Sequence, residues 1–249
     1  MSAHSDSTTR YILLGAPRTG AGWLGCLLQA HPEVACAGEV LSEDEPTRRE
    51  AHRQYYGTED WMLRPSPTAE GYYIDNPRHY LSRLWESGEV AGFRATYSQL
   101  DRFELWPICK DGCRVLHVVR NPLAALVSEG QARKFNVPWL PPRKRSRRSP
   151  PVPVEVEDAR QRLRADAVGA SRVETWCPRR LEVTYRQLVE SPAATWKAVC
   201  EFLGVTVIRL PKVSAKCQLG SIPERISNWQ ELRTKIPRHE LAQLEEDLF

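Results

Sequence analysis

No apolar run in the 249 residues is long enough to cross a membrane, which excludes a helical membrane protein. The N-terminal stretch MSAHSDSTTR lacks the apolar centre of a secretory signal. Cysteine is present but unpaired in pattern. The seven are scattered, and the one close pair, Cys109 and Cys113, has no second pair at zinc-like spacing. That excludes a disulfide-built fold and a zinc module, and it suits reduced thiols in a cytoplasmic protein. No internal repeat is present. Neither sign of charge dominates: 35 Lys and Arg stand against 31 Asp and Glu, a net charge of +4. This balance fits an anionic ligand and does not demand nucleic acid.

What is there is a repeated design of strand, loop and helix. Residues 1–9 read as a loose tail and 10–249 as a single domain. In the first unit the strand Tyr11–Leu14 runs into a small-residue loop, and a helix follows from about Gly22, its apolar face made by Trp23, Leu24, Leu27 and Leu28. In the second, Val115–Val119 is followed by Asn121 as cap and Pro122 at the first helical position. In the third, Leu181–Tyr185 alternates as a strand, Ser191 and Pro192 open a helix, and Gly204 closes it. A fourth strand is expected at VAGFRATY, with Arg94 and Tyr97 near its end. Such units predict an α/β fold with a mostly parallel central sheet between two helical layers. Ligands bind such sheets at the carboxyl ends of the strands.

Between the second and third units a proline-rich loop at about 138–156 carries the basic run Arg143–Arg148, and a helix resumes near Ala159. The run suits an anionic acceptor, a lid or a plain solvated loop. It lacks the interleaved aromatic residues of a single-strand nucleic-acid groove. The C-terminal SIPERISNWQELRTKIPRHELAQLEEDLF predicts one or two amphipathic helices, interrupted at Pro237.

The loop YILLGAPRTGAGW poses the chemical question. Gly15 and Gly20 have the spacing of the two P-loop glycines, but Ala21 replaces the lysine and Gly22 replaces the hydroxyl that binds magnesium. Such a loop serves ATP or GTP chemistry poorly. It still offers backbone N–H groups at a helix start, the cation of Arg18 and the hydroxyl of Thr19, which suit one phosphate without a metal. Arg120 ends the second strand, and Ser128 lies about two helical turns, or roughly 10 Å, further on. The two suit a second anion, or else a strand-end salt bridge and a serine bonded to its own helix.

Three segments, PRTGAGWL, RNPLAALVS and VTYRQLVESP…FLGV, occur in the order of the signature segments of sulfotransferases that use 3′-phosphoadenosine 5′-phosphosulfate. The chain resembles that family, which implies the P-loop-like sulfotransferase fold, the phosphosulfate donor, adenosine 3′,5′-bisphosphate as product, and no metal. The resemblance implies that Arg18 holds the 5′-phosphosulfate and stabilises the leaving oxygen. Thr19, Gly20, Ala21 and Gly22 would bind the 5′-phosphate, although the family usually has hydroxyl residues at the last two positions. Trp23 and Tyr185 would flank the adenine, and Arg120 and Ser128 would bind the 3′-phosphate. Lys216 would add a late cation.

The aryl-type members use a histidine in a segment whose counterpart here, FRATYSQ, has none. The bacterial and carbohydrate-type members use a glutamate after the first helix. HPEVACAGEVLSEDE offers Glu39 first and Glu43 second as the base. His31 at a helix end and His117 in mid-strand read as structural. The reaction implied is in-line sulfuryl transfer to a hydroxyl, or an amine, of a saccharide or other small acceptor, with no nucleic-acid or membrane partner. The competing readings are a non-catalytic nucleotide-binding relative and a nucleotide-dependent kinase.

Overall fold

The computed structural model describes residues 8–42, 77–85, 89–135, 150–211, 221–237 and 240. The elements in chain order are β1 (Thr9–Leu14), α1 (Ala21–Gln29), β2 (Val34–Cys36), α2 (Pro77–Trp85), β3 (Val90–Ala95) and α3 (Tyr97–Arg102). There follow β4 (Arg114–Val119), α4 (Pro122–Phe135), α5 (Val156–Trp176), β5 (Arg180–Thr184), α6 (Tyr185–Glu190) and α7 (Pro192–Leu203). Two short helices, α8 (Ile222–Arg225) and α9 (Trp229–Lys235), complete the described chain.

The five strands pair in the order β2-β3-β1-β4-β5, every pair parallel. β1 lies at the centre because it is apolar on both faces: Tyr11, Ile12, Leu13 and Leu14 are all fully buried. Burying each such side chain contributes roughly 1.5–3 kcal/mol. One face of the sheet packs α1, α6 and α7 through Leu24, Leu28, Leu188, Trp196 and Leu203. The other packs α2, α3 and α5 through Leu81, Leu84, Leu100 and Val173. A third cluster, with Leu123, Val127, Ala159, Ile222 and Leu232, joins α4 to α5, α8 and α9.

This is the three-layer α/β architecture expected from the strand–loop–helix units. The chain moves from β1 outward to β2, returns through β3, and then crosses β1 to reach β4. The loop after β1 therefore lies at the topological switch point, where open parallel sheets form their crevice.

Local chemistry sets the boundaries. Asn121 accepts a hydrogen bond from the Ala124 N–H at 3.1 Å, and Pro122 opens α4. Gly204, at φ 73°, closes α7 in the left-handed conformation that glycine adopts without strain. Two expectations are corrected. The helix after the proline-rich loop starts at Val156, not near Ala159, because Val152 and Val154 are already fixed by the third cluster and by a bridge to Ile226. Tyr185 is not the end of a strand but the first residue of α6, because Thr184 and Gln187 form a capping box.

Candidate functional site

The loop from Gly15 to Gly20 closes tightly over the ends of β1 and β4. A Cβ on Gly15 would sit 2.6 Å from the Val118 carbonyl oxygen, so the close approach requires glycine. The chain turns by placing Arg18 at φ 66° and Gly20 at φ 103°. Thr19 is buried, and its hydroxyl donates to the Ala16 carbonyl at 2.9 Å, which ties the turn to itself. No side chain caps α1, and no hydrogen bond among the described residues engages the N–H groups of Gly20, Ala21 and Gly22. Together with the helix dipole, these donors form a site for an anion.

Arginines crowd the same end of the sheet. Arg120, one residue past β4, donates from Nη1 to the Arg18 carbonyl at 2.9 Å. Its guanidinium lies 3.9 Å from the centre of the Tyr185 ring, a cation–π contact. That ring also abuts the loop: a Cβ on Gly20 would meet it at 2.8 Å. Arg18 donates from Nε and Nη2 to the Ser128 Oγ at 3.3 and 3.2 Å. Arg225, from α8, is buried nearby. Burial pushes Arg120 down to about 10, partly offset by Tyr185, and the neighbouring charges of Arg225, Arg18 and Arg162 push the same way. Burial likewise brings Arg225 down to about 10. Arg18 is lowered by burial too, against the pull of Glu129 and Tyr185. Cations drawn together out of water make a region that favours an incoming anion.

The structure thus brings Arg18, Thr19, Gly20, Ala21, Gly22, Arg120, Ser128 and Tyr185 to one place. Trp23 stands in the first turn of α1, and its buried Nε1 has no hydrogen-bond acceptor among the described residues. Glu39 lies past β2, where its carboxylate pairs with Arg94 of β3 at 2.7 Å. The charge of Arg94 also reaches Arg18 and lowers it. Glu43, Lys216 and the basic run Arg143–Arg148 lie outside the described residues.

The two histidines have structural partners. His31 Nε2 donates to the Thr206 carbonyl at 2.9 Å, and its Nδ1 accepts from the Glu33 N–H. His117 lies 2.6 Å from the Tyr97 hydroxyl on one side and 3.4 Å from Glu182 on the other. Among the described residues, no group of three or more His, Cys, Asp or Glu is placed to hold a metal ion.

Arg162 and Arg225 have no place in the reading of the three segments. Arg225 left a faint signal, since it stands in IPERI between Ile222 and Ile226, both of which pack into the core. Arg162 left none, being one of three alternating arginines, with Arg160 and Arg164, on a long helix. Arg162 faces a cleft of about 900 Å³ that opens at Ala16 and Pro17 and runs between α3, α4 and α5. Asp101, Glu129, Asp166 and Arg172 also line it, and Glu39 is not among its lining residues.

The fold and the loop define a class. In structure the chain matches a sulfotransferase from Alicyclobacillus acidocaldarius with a TM-score of 0.50 and 17% identity, over 96% of this chain and 95% of that one. It matches the sulfotransferase domain of the Synechococcus PCC 7002 olefin synthase with a TM-score of 0.51 and 17% identity, over 100% of this chain and 97% of that one. The chain therefore has the sulfotransferase fold implied by its three segments. In sequence it is similar to nodulation protein H of Rhizobium tropici, 26% identical over 236 residues, covering 90% of this chain and 87% of that protein. It is 25% identical to nodulation protein H of Rhizobium meliloti (strain 1021) over 233 residues, covering 90% and 89%. Both relatives are bacterial, in keeping with the bacterial side of the resemblance. No family model matches the chain.

Proposed function

We propose that the protein transfers a sulfuryl group from 3′-phosphoadenosine 5′-phosphosulfate to a hydroxyl, or an amine, of a saccharide or other small acceptor. One observation carries this reading: the strand-end Arg120 is bonded to the backbone of the phosphate-type loop. The loop suited to one anionic group and the strand-end cation suited to a second are therefore in direct contact. The residues fit such a donor. The uncapped start of α1 supplies N–H groups and buried guanidiniums supply charge.

The donor supplies an activated sulfuryl group on a phosphate leaving group. Gly20, Ala21 and Gly22 bind the 5′ end through backbone N–H groups, and Arg18 holds charge on the leaving oxygen. Such electrostatic stabilisation is worth about 3–4 kcal/mol per well-placed donor. Thr19 serves the phosphate through its hydroxyl, which without ligand donates to the Ala16 carbonyl at 2.9 Å. Arg120, Ser128 and Arg225 bind the 3′-phosphate, and Lys216 is assigned beside them. Trp23 and Tyr185 flank the adenine. Glu39, held by Arg94, takes the acceptor's proton, with Glu43 as the second choice. Ala21 and Gly22 leave out two side-chain hydroxyls, each worth about 1 kcal/mol to a charged acceptor. We also place the protein in the cytoplasm, a reading supported by six free cysteines among the described residues.

Calorimetry tests the donor. Adenosine 3′,5′-bisphosphate binds more tightly than adenosine 5′-monophosphate if the 3′-phosphate is read; equal affinities refute the assignment. Glu39→Gln tests the base: turnover falls by about 10²-fold or more while bisphosphate affinity holds. A variant as fast as wild type moves the role to Glu43. Wild-type protein that binds the bisphosphate but turns over no acceptor is a non-catalytic relative.

A further inference from the structure

The loop holds a non-glycine residue, Arg18, at φ 66°, inside the turn that the Thr19 N–H closes on the Ala16 carbonyl at 3.4 Å. Left-handed backbone at a non-glycine residue persists only where surrounding structure over-determines it. Two guanidiniums from outside the loop add to the hold of that turn. Arg162 of α5 donates from Nη2 to the Pro17 carbonyl at 2.7 Å, and Arg120 donates to the Arg18 carbonyl at 2.9 Å. The first carbonyl belongs to the peptide before the Arg18 Cα and the second to the peptide after it. Both peptides that flank the Arg18 Cα are therefore tied to side chains from outside the loop.

Arg162 is itself oriented. Its Nε donates to both carboxylate oxygens of Asp166, one turn further along α5, at 2.9 and 3.0 Å. The side chains of the pair are 10% and 20% exposed. An ordinary pair one turn apart on a helix surface ends with the two residues. Here the guanidinium spends its far nitrogen on the loop of another layer.

We propose that Arg162, oriented by Asp166, is a positioning residue that holds the loop in the geometry from which Arg18 and the Gly20–Gly22 N–H groups act. The inference rests on the donor reading above. It assigns α5, a helix with no sequence signal for the site, a direct part in shaping it.

The test uses the full-length protein with Arg162→Met, which keeps the length and apolar stem of the side chain. Without ligand, amide exchange at Thr19, whose N–H bonds the Ala16 carbonyl across Arg18, accelerates by about tenfold or more, while β1 and the body of α1 are unchanged. Under turnover, kcat falls by about tenfold or more and the acceptor KM holds. In a double-mutant cycle with Arg18→Ala, the Arg162→Met effect on kcat shrinks to the part that acts through the Gly20–Gly22 N–H groups. Full additivity in that cycle, or unchanged loop exchange, overturns the proposal. If Arg162→Met does not fold, Asp166→Asn carries the same measurements, with a loss of about threefold. Loop exchange that responds in a protein that does not bind the bisphosphate overturns the donor reading and leaves the positioning role standing. Bisphosphate binding with an unresponsive loop does the reverse.

Discussion

Two junctions of this molecule are spelled almost alike: TYSQL at 96–100 and TYRQL at 184–188. Each follows a parallel strand, and each folds the same way locally. The Thr96 hydroxyl accepts from the Gln99 N–H at 3.3 Å, and the Gln99 side chain accepts from the Thr96 N–H at 2.9 Å. Thr184 and Gln187 repeat the exchange at 3.0 and 2.9 Å. Each box opens a six-residue helix with one buried leucine, Leu100 or Leu188. The two tyrosines nonetheless meet different fates.

Tyr97 turns inward, its hydroxyl on His117 and its ring against Gly169, where any Cβ would come within 2.3 Å. Tyr185 meets the loop instead, lying under Arg120 and against Gly20. The local code writes the cap; the position of the strand in the sheet decides what the tyrosine touches. β3 sends its junction to the face covered by α5, and β5 sends its own to the face covered by α1.

Breaking Arg120 separates the two junctions most sharply. Arg120→Ala removes the charge stacked on Tyr185 and a clamp on the Arg18 carbonyl. Bisphosphate affinity falls by roughly 2–5 kcal/mol, as when one side of a buried charge pair is lost. Calorimetry reads it directly, and an unchanged affinity removes Arg120 from the site. The Tyr97 junction, on the far face, is untouched.

Exchanging the tyrosines sharpens the contrast at smaller cost. Tyr185→Ala removes an aromatic face and weakens bisphosphate binding by about 1–2 kcal/mol, with little change in stability. Tyr97→Phe removes a hydroxyl bonded to a buried imidazole and lowers stability by about 1–3 kcal/mol, with bisphosphate affinity held. Urea midpoints and calorimetry on the two variants give a crossed pattern. If Tyr97→Phe weakens binding and Tyr185→Ala does not, the roles assigned to the two junctions are reversed.

The comparison also marks how far the sequence was legible. Strand β1, the Asn121-Pro122 start of α4 and the Gly204 stop of α7 were readable because each rests on local chemistry that a short window contains. The gathering of Arg18, Arg120 and Ser128 was readable only through the resemblance, since 110 residues separate Arg18 from Ser128. The capping boxes were available as Thr-x-x-Gln, but the alternating pattern from Leu181 to Tyr185 masked the second of them. Arg162 was not legible at all. Its partner is a backbone carbonyl 145 residues away, and a carbonyl leaves no residue type in the sequence.

The smallest effect concerns pH and separates the junctions once more. Burial holds the His117 imidazole below its ordinary value, against the upward pull of Glu182. The arrangement that satisfies both neighbours has neutral His117 accepting from the Tyr97 hydroxyl at Nε2 and donating to Glu182 from Nδ1. The folded value is depressed, so the stability it contributes is complete above the unfolded value of about 6.5 and is lost as pH falls through the folded one. Urea midpoints measured downward from pH 7 therefore decline with a component assigned to His117. His117→Gln supplies a side-chain oxygen for Tyr97 and has no proton to gain, so its acid limb is flatter than that of wild type. Tyr185 lies instead under Arg120 and against Gly20, and the His117→Gln variant's bisphosphate affinity at neutral pH stays within about twofold of wild type. An acid limb as steep in His117→Gln as in wild type assigns the decline to carboxylates and removes the pH linkage from the Tyr97 junction.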